Sequence, residues 1–168
     1  MIQFDGISFS EPISRRIMAE LVRHNPTYSD LAPNELIDQV SRFSFMSALA
    51  KLSGLAFFPR VAEFSESDLL RSCNAAVLAR GFFTPLCREG QDTLVVAVAN
   101  PWSELPEAYV ALLFPDLEIV RIVTLASEIT RSIEAAACHT AIRVAEPGPH
   151  APHNGSAMRR ERSGYVAF

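Results

Sequence analysis

Residues 82–101 read Phe-Phe-Thr-Pro-Leu-Cys-Arg-Glu-Gly-Gln-Asp-Thr-Leu-Val-Val-Ala-Val-Ala-Asn-Pro, and this stretch decides the fold. Two runs rich in β-branched and aromatic residues flank a polar turn, Arg88-Glu89-Gly90-Gln91-Asp92, where Gly90 can take a positive φ without a Cβ clash. The second run, residues 94–99, is almost uniformly apolar. It suits a central strand covered on both faces rather than one left half exposed. Asn100-Pro101 ends it, because proline has no N–H to give to a ladder.

Working outward, the flanking periodicities predict helices. Before the hairpin, Ser65-Glu66-Ser67-Asp68 carries a capping hydroxyl and two acids suited to the positive end of a helix dipole. Leu69, Leu70, Cys73, Ala76 and Val77 follow, with Gly81 as the stop. After the hairpin, residues 103–114 read as a helix with Pro106 in its first turn. Residues 117–123 read as a third strand with partial alternation, and residues 128–138 as a final helix with Ile129 and Ile133 inward. The order helix, strand, strand, helix, strand, helix predicts a compact α+β (α/β) unit over residues 61–144.

Residues 1–60 predict a helical annex. Residues 1–11 show no firm period. Ile13, Ile17 and Leu21 recur at helical spacing until Asn25-Pro26, where proline pushes its predecessor out of the α region. A second helical stripe, from Asp30 or Pro33, continues or restarts through Leu36, Val40, Phe43, Met46 and Leu49, with Gly54 as its cap. Residues 55–59 form a short strand or extended arm. From about residue 145 the composition turns to proline, glycine and histidine without a period, so a disordered tail is expected over 145–168, with a locally basic end at residues 158–162.

Composition excludes several functions. The chain of 168 residues has a net charge of −4, with mixed signs, so no basic field points to nucleic acid. No apolar run reaches membrane-spanning length, and residues 1–5 lack the start of a secretory signal; a cytoplasmic location is expected. Cys73, Cys87 and Cys138 are odd in number and widely spaced, as in reduced thiols.

Candidate chemistry is weak throughout. Lys51 is followed by Leu52-Ser53, but no glycine precedes it at phosphate-loop spacing. The cysteines, with His24 and His139 as bases, are more simply small hydrophobes. His150 and His153 are separated by prolines that prevent a helical metal pair. The acids Glu63, Glu66, Asp68, Glu104 and Glu107 stand at helix starts. Trp102, Tyr109 and Phe114 suit a core edge better than a stacking platform. Arg15, Arg16 and Arg23 share one helix and read best as a solvated face. No catalytic residue, cofactor-binding residue, cofactor or metal ligand is assigned.

Residues 52–135 resemble the N-terminal domain of type II secretion and type IV pilus assembly ATPases. The match runs through Leu52-Ser53-Gly54-Leu55-Ala56-Phe57, Ala79-Arg80, Thr84-Pro85-Leu86, the turn Glu89-Gly90, the strand end Leu94-Val95-Val96-Ala97-Val98-Ala99-Asn100-Pro101, and Ala126-Ser127-Glu128-Ile129. It covers half the chain and is spread rather than gathered into a site. The resemblance implies a cytoplasmic, non-catalytic module ahead of a motor, docking to a component of the inner-membrane platform. No motor follows Cys138, so a standalone protein or an excised domain is expected. A related branch binds cyclic di-GMP through Arg-Leu-Gly elements; here Arg16-Ile17-Met18 has Met18 in the glycine's place, and no binding residue is carried over. Phe43, Phe45 and Phe57 are the candidate partner contacts. The rival readings are a cyclic di-GMP sensor and a small enzyme with an unrecognised site.

Overall fold

A computed structural model describes the backbone of residues 1–145 and the side chains of residues 1–138. The run at residues 94–99 supplies the middle of a three-stranded sheet in the order β3-β4-β5: β3 Phe83–Glu89, β4 Thr93–Val98 and β5 Glu118–Val123. β3 and β4 are antiparallel across a tight turn of residues 90–92, where Gly90 has φ 70°. Arg88 and Glu89, expected in the turn, belong to the strand. β4 and β5 are parallel, as a connection through a helix requires. Pro85 sits in the edge strand beside a bulge at Leu86, a position where a missing donor costs no central ladder bond.

The first eleven residues hold a feature without a visible period in the sequence. β1 Ile2–Phe4 and β2 Ile7–Phe9 form a hairpin around Asp5-Gly6, both with positive φ (48° and 81°). Asp-Gly is the residue pair a two-residue hairpin turn favours. Ile2, Phe4, Ile7 and Phe9 all face inward. Buried Ser14 ties this hairpin to α1 Glu11–His24: its Oγ accepts from the Ile2 N–H (2.9 Å) and donates to the Phe9 carbonyl (3.1 Å).

The second helical stripe restarts rather than continues. α2 Pro33–Gln39 ends at Val40, and α3 Arg42–Ser53 begins afresh with the Ser41 hydroxyl accepting from the Ser44 N–H (3.1 Å). Gly54 closes α3 in the left-handed conformation, as expected. The helix expected before the sheet is also two: α4 Ser67–Arg71 and α5 Ala75–Gly81. Asn74 interrupts them because its side chain accepts from the Ala76 and Val77 N–H groups and caps α5. The N-cap of α4 is Glu66, not Ser65.

At the end of α5 it is Phe82, with φ 51°, that turns left-handed, not Gly81. Gly81 is glycine for space: a Cβ there would lie 2.6 Å from the Phe83 ring. α6 Leu105–Leu113 connects β4 to β5, and α7 Ala126–Ala145 runs past the expected end at residue 138. The disordered tail expected over 145–168 falls, from residue 146 on, outside the described residues.

Two main cores result. One lies between the hairpin, α1, α2 and α3 and also takes in Ala99, Val123, Ala126 and Ile129. The other packs Leu94, Val96 and Val98 of β4 against Leu69, Leu70, Leu78, Val110 and Ala136. The expected extended arm runs beside the end of β5: Phe57 bridges Val123, the Val123 N–H donates to the Ala56 carbonyl (2.8 Å) and the Phe58 N–H to the Val123 carbonyl (2.9 Å).

Candidate functional site

Alternation along the strands divides the sheet into two unlike faces. Leu94, Val96 and Val98 point into helices, whereas Val95 and Ala97 of β4, Leu86 and Cys87 of β3 and Ile122 of β5 point the other way. On that second face the cover is thin. It consists of the arm at residues 57–61 and a short 3-10 turn, Ala62–Phe64. Between arm and sheet lies an apolar cleft of about 280 Å³, with Phe58, Phe64, Leu86, Val120 and Ile122 in its walls and Glu89 at its edge. Phe64 is 61% exposed, and Phe58 and Val120 are exposed as well. These apolar side chains stand in water around a concave sheet face instead of being packed into a core.

The cleft has an acidic border. Glu89 lines it, Glu66 reaches the Arg88 N–H (3.3 Å) and Glu63 precedes Phe64. Burial pushes the Cys87 thiol up from its ordinary value, and the charges of Glu66 and Glu89 add to the effect. Arg88 pairs with Leu94, not with Val95, so it belongs to the helix-covered side.

A buried carboxylate fixes the arm. Glu128, in the first turn of α7, accepts from the Val61 N–H (3.0 Å) and the Ala62 N–H (3.4 Å) and pairs with Arg131 (2.7 Å). In the sequence Glu128 belongs to a helix opening, and nothing local reveals a partner 67 residues away.

The sequence-derived candidates separate cleanly. Phe45 is fully buried and stacks on Phe4 (3.8 Å between ring centroids), so this candidate contact is core. Phe43 is 56% exposed and meets Phe57 edge-on (5.0 Å), so these two form a surface pair on the annex. Cys73 is half-buried and its thiol is pushed up by burial; Cys138 is exposed. A raised thiol is a poorer nucleophile near neutrality. His24 pairs with Glu20 (3.0 Å), not with a cysteine, and the side chains of His139, His150 and His153 lie outside the described ones. Among the described residues, no group of three or more His, Cys, Asp or Glu could hold a metal.

The aromatics do not form one platform: Trp102 packs edge-on to Phe9, Tyr109 against Phe83, and Phe114 against the sheet core. Of the acids, Asp68 pairs with Arg71 (2.8 Å) and Glu107 approaches Arg121 (3.9 Å). Arg15 pairs with Glu11 (3.2 Å) and Arg16 donates to the Leu52 carbonyl at the end of α3 (3.3 Å). Arg23, His24 and Lys51 all meet Glu20, whose side chain is only 5% exposed. The Arg23 hydrogen bond, helped by Lys51, outweighs desolvation and holds the Glu20 carboxyl down to about 2.

No family model and no curated protein matches this chain. Solved structures do. One of MshE with cdg covers 72% of this chain and 98% of its own, with a TM-score of 0.56 and 14% identity. The N-terminal domain of XpsE covers 76% of this chain and 97% of its own, with a TM-score of 0.52 and 18% identity. The chain therefore has the mixed helix-and-sheet fold implied by its resemblance to secretion and pilus ATPase N-terminal domains. Among the described residues, no helix is long and apolar enough to cross a membrane.

Proposed function

We propose that this protein is a non-catalytic docking module whose partner surface is the cleft on the open sheet face. The observation that carries this reading is the exposure of Phe58, Phe64 and Val120 around a concave apolar wall, in a fold shared with the N-terminal domain of XpsE. The partner, a component of the inner-membrane platform or an ATPase motor, presents an apolar segment with basic flanks, because the border carries Glu63, Glu66 and Glu89. We place the module in the cytoplasm and take residues 1–60 as an annex to the docking unit at 61–144. The test is capture of a platform component's cytoplasmic part by the full chain. Phe64→Ser and Val120→Lys, both at exposed positions, weaken it by roughly 1–3 kcal/mol each. Unchanged capture by both variants overturns the reading.

A second reading, a cyclic di-GMP sensor, rests on the gathering of Arg16, Arg23 and Lys51 where α1 meets α3, and on the cdg of the MshE structure. Against it, Arg16 and Arg23 already hold partners, and Met18 is packed against the core. Calorimetric titration with cyclic di-GMP decides: micromolar or tighter binding puts this reading first.

A further inference from the structure

The cleft has a candidate occupant within its own chain. Residues 158–168 read Met-Arg-Arg-Glu-Arg-Ser-Gly-Tyr-Val-Ala-Phe: three arginines followed by a short apolar run, which is the chemistry the cleft and its acidic border select. The reach is sufficient. α7 starts beside the cleft, where Glu128 holds the arm, and its 20 residues carry the chain roughly 30 Å away at 1.5 Å per residue. The spacer at residues 146–157 spans on the order of 40 Å when extended, enough to return.

We propose that residues 158–168 occupy the sheet-face cleft in cis, with Tyr165, Val166 and Phe168 supplying the apolar contact and Arg159, Arg160 and Arg162 meeting Glu63, Glu66 and Glu89. The segment is then a competitor that an external partner displaces, which rests on the docking reading of the same cleft. Tethering gives the segment a high local concentration, so weak contacts suffice to fill the cleft until a partner of higher affinity arrives.

Cys87, in the wall of the cleft, provides the test. In the full chain with Cys73→Ser and Cys138→Ser, a Val166→Cys variant is oxidised with diamide, which takes up the two electrons and two protons released when the sulfur introduced at position 166 joins that of Cys87. The expected result is an intramolecular disulfide seen as a gel shift, in about tenfold higher yield than from Asn154→Cys in the spacer. Adding Phe64→Ser or Val120→Lys lowers that yield while the thermal midpoint is kept. Equal yields from positions 154 and 166 overturn the proposal, and so do disulfide-linked dimers, which make a second copy the occupant. Failure of the reduced full chain, and of a chain ending at residue 145, to capture a platform component while the position-selective disulfide still forms on oxidation sinks only the docking reading. Partner capture without the position-selective disulfide sinks only this proposal.

Discussion

Glu20 shows how a nearly buried charge is held. Its carboxylate sits under Arg23, His24 and Lys51, and the Arg23 hydrogen bond lowers its pKa to about 2. A depressed carboxylate contributes stability that is complete above its unfolded value near 4.5 and is lost as pH falls towards 2. Urea midpoints of the wild type therefore fall through that window, and those of Glu20→Gln fall less steeply; parallel curves would show that the pair does not govern acid stability. Glu128 is the second such residue. Glu128→Ala leaves the Val61 and Ala62 N–H groups without their acceptor and costs about 1–3 kcal/mol. Glu128→Gln keeps a carbonyl oxygen there and is expected to lose less, as denaturant titration would read. Helical spacing offers Arg23 and His24 to Glu20 and Arg131 to Glu128, but the burial of both carboxylates, Lys51 and the Val61 and Ala62 N–H groups arrive by tertiary packing, so neither role was legible in the sequence.

At the scale of elements, the junction of α5 and β3 is the tightest point. A methyl group at Gly81 meets the Phe83 ring and also Leu105 at 3.0 Å, so the sheet or α6 must give way. Gly81→Ala is expected to destabilise by about 1–3 kcal/mol despite the better helix propensity of alanine. A rise in thermal midpoint would refute the steric account. The central strand and its hairpin were legible because an unbroken apolar run bounded by Gly90 and Pro101 has few other readings. The amino-terminal hairpin was not, because two strands of three residues are too short to display a period; Asp5-Gly6 was the available signal. The break between α4 and α5 was hidden by apolar residues that keep helical spacing across Asn74. The cleft was invisible for a different reason: its walls come from four separated segments, each ordinary by itself.

For the whole molecule, the annex does not have a core to itself. Ala99, Val123, Ala126 and Ile129 belong to the same cluster as Phe4, Phe9, Ile17 and Phe45. Annex and sheet are therefore expected to unfold together. The chain's only tryptophan, Trp102, packs against Phe9 and reports on the annex core, while far-ultraviolet circular dichroism reports on the whole. Coincident midpoints are expected, and an earlier fluorescence transition would show an annex that opens alone. The arm at residues 56–58 adds a last consequence. Its two neighbouring rings look in opposite directions, Phe57 towards Phe43 on the annex and Phe58 into the cleft. One peptide unit thus belongs to both surfaces. If the cleft takes a partner as proposed, Phe58 is the place where its arrival would bear on the Phe57–Phe43 pair one residue away.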